Sequence, residues 1–87
     1  MDQETNLESL KQQIKEFCEA RNWDQFHSGK ELAIGAVTEA SELLEHFRFQ
    51  TPEQIDELMS NPDKRQAIGE ELADVLFFIL RFSQRFD

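Results

Sequence analysis

Between Ile68 and Phe86 the chain places apolar residues on almost every side of a helix. Leu72, Val75, Leu76, Phe77, Phe78, Ile79, Leu80, Phe82 and Phe86, set at about 100° per residue, go most of the way round the wheel. A helix of that kind must be covered on nearly all its sides. The chain has only 87 residues, and a domain of that size buries a modest share of its surface. Three other short helices can hardly cover this one, so the pattern calls for a second copy of the chain as the remaining cover.

The rest of the chain supplies those three helices. It has three Gly and two Pro, so helix breakers are scarce, and the composition points to an all-α chain. Residues 1–4 are polar and expected to fray. Thr5-x-x-Glu8 reads as a capping box opening a helix to about Arg21, with Leu7, Leu10, Ile14, Phe17 and Cys18 as its apolar stripe. Asn22 to His27 reads as a connection. Ser28-x-x-Glu31 opens a second helix with Leu32, Ala36, Ala40, Leu43 and Phe47 on one line. Thr51-Pro52 opens a short third helix ending near Met59, and Asn61-Pro62 opens the last. The reading is a single domain over residues 1–87: a helical bundle of about three main helices plus a short one, completed by homodimerisation.

Two acidic pairs sit inside these helices. Glu39 and Glu42 lie in the second, Glu71 and Asp74 in the last. Residues three apart share a helix face, so each pair offers two carboxylates about one turn apart. Glu39 lies about 20° from Leu32 on the wheel, and Glu71 between Phe78 and Phe82, about 20° from each. An ionised carboxylate among apolar side chains is expensive unless something pairs with it. If the two helices pack as antiparallel neighbours, four carboxylates converge, repelling by roughly 3 kcal/mol per pair at ~5 Å and an effective dielectric near 20. Such a cluster needs a cation, and carboxylate oxygens suit hard divalent ions, Mg²⁺ first. Asp74 falls between Arg81 and Arg85, which offer it ion-pair partners.

Other chemistries find no support in the pattern. There is no H-x-x-x-H or C-x-x-C for zinc, no Glu-x-x-His pair for a di-iron bundle, and no phosphate-binding G-x-x-x-x-G-K-[ST] loop. His27 alone reads as a structural or capping histidine, and Cys18 as core. The net charge of −9 argues against a nucleic-acid polymer or an anionic membrane as the main partner. It does not argue against a phosphate substrate, because a bound metal reverses the local sign. One cysteine excludes an intramolecular disulfide framework and suits a reducing compartment. With no leader-like N-terminus and no apolar run long enough to span a bilayer, the expectation is a cytoplasmic protein.

Taken together, Glu39-x-x-Glu42 followed by Glu71-x-x-Asp74 resembles the signature of the all-α, MazG-like nucleoside triphosphate pyrophosphohydrolases. Arg21-Asn-Trp-Asp-Gln-Phe-His27 is similar to the segment before the first acidic pair in the dCTP pyrophosphatase-like branch, and Glu70-Glu-Leu-Ala-Asp-Val75 resembles its second motif. The resemblance implies a homodimer or a homotetramer. It also implies hydrolysis of (deoxy)nucleoside triphosphates to monophosphate and pyrophosphate, with Mg²⁺, or Mn²⁺ in its place, held by Glu39, Glu42, Glu71 and Asp74. Trp23, Phe49 and Phe78 match the base pocket, with His27 beside them. Phe49 stands where the dCTP enzymes tend to have Trp, and Phe78 where they have Tyr; stacking survives and polar handles are lost. Such relatives continue past the position of Asp87 into a further helix and a basic segment; if that segment contacts phosphates, the expectation is that Lys30, Lys64, Arg81 or Arg85 partly substitutes for it. The rival reading is a non-catalytic helical interaction or nucleotide-sensing module.

Overall fold

A computed structural model describes residues 2–87. The described residues form four α-helices: α1 (Leu7–Ala20), α2 (Gly29–Glu45), α3 (Pro52–Ser60) and α4 (Pro62–Phe86), with 3₁₀ turns at Asp2–Glu4 and Trp23–Phe26 and no strand among them. Three of the four starts follow the expected chemistry. The Ser28 side chain accepts from the Glu31 amide. Thr51 and Gln54 form a reciprocal capping box, with Pro52 in the first turn. The Asn61 side chain accepts from the amides of Asp63 and Lys64. These bonds satisfy donors that a helix start leaves without partners.

The first start differs by one residue. Asn6, not Thr5, is the cap: its Oδ1 accepts from the Ser9 amide at 2.8 Å and the Ser9 hydroxyl answers the Asn6 amide at 3.4 Å. Thr5 instead closes the preceding turn through its amide to the Asp2 carbonyl. Residues 2–4 therefore form a 3₁₀ turn where fraying was expected; Met1 lies outside the described residues.

The pairing of α2 with α4 positions everything else. Its register is antiparallel. Gly29 stands against Phe82 and Phe86, Gly35 against Phe78, and Glu39 beside Glu71 and Asp74. Gly35 is needed for this approach, since a Cβ there would overlap the Phe78 ring. One turn further along α2, the same closeness brings Glu39 to Glu71. α1 packs on another side of α4, with Phe17 edge-on to Phe77 at 6.3 Å. Cys18, Leu32, Ile68 and Leu80 are the buried apolar residues.

Much of α4 stays uncovered. Leu72, Leu76 and Ile79 at i, i+4, i+7 are each about half exposed, as are Ile34, Val37 and Leu44 of α2. The accessible surface is 6637 Å², against about 5,300 Å² expected for a monomer of this mass. The radius of gyration is 15.3 Å, against about 12 Å for a compact chain of this length. No helix among the described residues is long and apolar enough to cross a membrane.

The two glycines inside these helices should respond oppositely to alanine. At Gly69 nothing lies within 4 Å of the new methyl, so Gly69→Ala should stabilise by up to ~1 kcal/mol through helix propensity alone. At Gly35 the same gain is opposed by overlap with Phe78, which costs about 1–3 kcal/mol. Gly35→Ala should therefore lower Tm by several degrees, since about 1 kcal/mol moves Tm by ~4–8 °C in a domain this small. Thermal melts of the two variants against the parent chain check both signs.

Candidate active site

Three acids meet where α2 and α4 run closest. One carboxylate oxygen each from Glu39, Glu42 and Glu71 lies within 4.8 Å of the others. Asp74, one turn beyond Glu71 and exposed, is outside that set but near enough to act on Glu39 through its charge. The α2–α4 register explains the meeting: Glu39 and Glu71 each lie on the helix side turned towards the other helix, whereas Glu42 joins them from the solvent edge and Asp74 stays outside.

The electrostatics of this cluster are adverse as it stands. Glu39 is held up to about 7, first by desolvation and then by hydrogen bonding and repulsion from Glu42, with Glu71 and Asp74 adding to it. Glu39 Oε2 and Glu71 Oε2 are sealed from solvent and have no hydrogen-bond partner. Buried polar atoms are nearly always paired. Two orphaned acceptors on residues of one cluster whose ligand atoms are all carboxylate oxygens fit a hard divalent cation.

The aromatic residues fall into two groups. Trp23 is edge-on to Phe17 at 5.4 Å and to His27 at 5.9 Å. Phe17 meets Phe77, and Phe77 meets Phe78 at 5.5 Å. His27, Trp23 and Phe78 thus belong to one run of edge-to-face rings crossing α4. A groove of about 270 Å³, lined by Leu10, Gln13, Ile14, Phe17 and Phe77, opens on the middle of that run. Phe49 is not part of it. Phe49 sits after α2 with φ 64°, 90% exposed, with the Arg48 guanidinium 4.7 Å over its ring. It lines a separate cleft with Gln54, Leu58 and Lys64. Lys30 lies exposed in the first turn of α2, nine residues or about 13 Å of helix rise from Glu39.

One cluster escaped the sequence reading. Arg81 is fully buried and forms an ion pair with Asp24, not with Asp74 as the helix spacing suggested. Its Nε donates to His27 Nδ1 at 2.9 Å and its Nη1 to Gln84. Arg85 adds a bond to the Asp24 carbonyl at 3.3 Å. The guanidinium beside it holds Asp24 below the usual carboxylate range. A buried arginine needs a buried or half-buried partner, and the helix geometry of α4 alone could not name one 57 residues away. The available signal was the charge itself, set among Leu80, Phe78 and Phe82.

An all-α chain with a carboxylate cluster between antiparallel helices and an aromatic run alongside is the class that fold and site define. The chain is similar to dCTP pyrophosphatase 1 of Homo sapiens, 34% identical over 82 residues, which is 94% of this chain and 48% of the relative. It is 33% identical over the same span to dCTP pyrophosphatase 1 of Bos taurus and of Mus musculus. The similarity agrees with the resemblance drawn from the motifs, to the dCTP pyrophosphatase-like branch of the MazG-like group. The chain spans about half the length of these curated relatives. No family model and no solved structure matches it.

The weakened acidity of Glu39 sets a pH dependence for the protein kept free of divalent metal. Unfolded, the carboxyl loses its proton near 4.5; folded, it holds it to about 7. Between those values the folded state carries more protons than the unfolded one, so this contribution to stability is fullest at the acid end and declines as pH rises. In chelator, the urea midpoint should fall across that window. Glu39→Gln, which cannot ionise, should flatten the decline.

Proposed function

We propose that this chain is a nucleoside triphosphate pyrophosphohydrolase domain. It hydrolyses (deoxy)nucleoside triphosphates, dCTP among the preferred ones, to the monophosphate and pyrophosphate, and so clears surplus or non-standard nucleotides from the cytoplasm. The observation that carries this reading is the pair of sealed, unpartnered oxygens on Glu39 and Glu71, two acids whose carboxylates meet within 4.8 Å between α2 and α4. The similarity to proteins named dCTP pyrophosphatase supplies the substrate class.

Glu39, Glu42 and Glu71 would hold Mg²⁺, or Mn²⁺, with Asp74 at the solvent edge completing the set. When bound, the cation supplies the positive charge that draws in a triphosphate and stabilises the departing pyrophosphate. The chain's own residues do the rest. A carboxylate of the cluster takes the proton of the attacking water. The water oxygen bonds to the α-phosphorus as the bond from that phosphorus to the bridging oxygen breaks, and pyrophosphate leaves with the electron pair. Attack at the α-phosphorus, not the γ, requires the nucleoside to be held. Trp23 and Phe78, joined by the aromatic run, are the stacking surfaces for the base, with His27 beside Trp23. Phe49, outside that run, and Lys30, about 13 Å of helix rise from Glu39, would serve a base or phosphate that reaches them from a neighbouring subunit.

A second copy belongs to this reading. About 1,300 Å² more surface is exposed than a monomer of this mass should show, and it includes the apolar stripes of α2 and α4. That exceeds the ~800 Å² per partner of a standard interface. The assembly we propose is a homodimer, or two such dimers forming a tetramer.

A panel of deoxynucleoside triphosphates assayed for pyrophosphate release with and without Mg²⁺ tests the proposal. Release should require the metal, and Glu71→Gln should lower kcat by at least ~10³-fold while helicity and oligomer size stay as they are. Pyrophosphate release by Glu71→Gln at the parent rate would remove the cluster from the chemistry. Metal-dependent binding without turnover would favour a nucleotide sensor, and no metal-dependent heat at all a docking module.

A further inference from the structure

Arg81 is the only charged side chain among the described residues with no exposed surface, and its three bonding partners are not alike. Asp24 and Gln84 accept from its two terminal nitrogens, and either could be met by a flexible arginine at the surface. The third bond, from Nε to His27 Nδ1 at 2.9 Å, constrains a neighbour's chemistry. A guanidinium only donates and stays charged at any pH the protein meets. His27 Nδ1 must therefore be the bare, accepting nitrogen. A neutral imidazole bare at Nδ1 carries its proton on Nε2.

The surroundings keep the ring in that form. Burial lowers the basicity of His27, the Arg81 charge lowers it further, and Arg85 adds to this, with Asp24 as the opposing charge. A proton on Nδ1 would collide with the Arg81 donor. Nε2 has no protein partner among the described residues, and it is not among the sealed polar atoms. The ring is 5.9 Å from Trp23, edge to face. The turn carrying both residues is tied to α4 at Asp24 by Arg81 and Arg85.

We propose that Arg81 is a positioning residue for nucleotide recognition: it fixes His27 as the Nε2–H tautomer, so that the ring presents one donor of constant direction, beside the Trp23 face, to an acceptor on the nucleotide. The acceptor chemistry is a base carbonyl or unprotonated ring nitrogen, which a pyrimidine stacked on Trp23 offers on its edge. The inference rests on the pyrophosphohydrolase reading. It assigns to α4 a task at the nucleoside end of the site, separate from the carboxylates it supplies at the phosphate end.

The test joins a spectroscopic readout to a kinetic one. Long-range ¹H–¹⁵N spectra of the intact protein report which His27 nitrogen carries the proton. In the parent chain Nδ1 should appear bare and Nε2 protonated. In Arg81→Met with Asp24→Asn, which removes the clamp without stranding the carboxylate, the signals should move towards the tautomer mixture of a free imidazole. In steady state, that double variant should raise KM about tenfold, the value of one well-placed hydrogen bond, with kcat within about twofold. In a His27→Gln background, whose amide donates without a tautomer to fix, removing the clamp should change KM no further. An unchanged tautomer, or equal KM losses in both backgrounds, would overturn the proposal and leave the hydrolase reading intact. A parent protein that turns over no nucleotide would overturn both. Circular dichroism of each variant identifies a chain that has failed to fold, in which case Arg81→Lys, which keeps the charge and loses the Nε donor, carries the same comparison.

Discussion

The close approach of α2 and α4 at Gly35 and Phe78 is the constraint on which the structure depends. A helix pair with ordinary side chains at the crossing sits 8–10 Å apart. A residue without a side chain lets the Phe78 ring enter the space a methyl would fill. One helical turn along, Glu39 and Glu71 are pressed together far enough from water that two of their oxygens have neither solvent nor a partner. The packing that holds the fold is thus also what raises the Glu39 carboxyl to about 7. Widening the crossing would relieve the acids and abolish the site by the same movement.

A second fixed point lies at the other end of α4. Arg81 occupies a position that the apolar pattern of the helix would give to a Leu. Burying a guanidinium is expensive, and the ion pair with half-exposed Asp24 returns only part of that in Coulomb energy. What the arrangement does secure is geometry: the turn from Trp23 to Phe26 has few apolar anchors of its own, with Phe26 61% exposed. Arg81 and Arg85 hold it by polar bonds to Asp24, where a hydrophobic contact would leave the turn free to slide. One helix therefore carries acids at one level and their opposite at another, about two to three turns apart.

Most of this was legible in the order of residues, and what was not has physical reasons. Helix starts at Ser28, Thr51 and Asn61 were readable because caps are local chemistry; Thr5 and Asn6 are both good caps, and the turn at residues 2–4, which takes the Thr5 amide, decides between them. The convergence of Glu39 and Glu71 was readable from periodicity, since each sits on an apolar arc. The partner of Arg81 was not. Helix spacing proposes neighbours on the same helix, and Asp74 and Arg81 are two turns apart; the true partner, Asp24, comes from a turn whose docking depends on tertiary contacts. Nor does periodicity tell which part of an all-round apolar helix its own chain will cover. α1 takes the Phe77 side, leaving Leu72, Leu76 and Ile79 open.

Two adverse features of the single chain, the stranded carboxylates and the uncovered apolar stripes, lie on the same two helices. A bound cation would relieve the first, and apolar surface from outside the second. Whatever binds the folded state alone stabilises it in proportion to the logarithm of its concentration over Kd. A cation seated between Glu39 and Glu71 would hold α2 to α4 at the crossing, and that crossing sets how Ile34 and Val37 stand relative to Leu76 and Ile79. The two bindings would then be coupled through the α2–α4 pair, each making the other more favourable because both need the same helix geometry. Were both bindings to occur, the completion of the fold would be tied to the completion of the site.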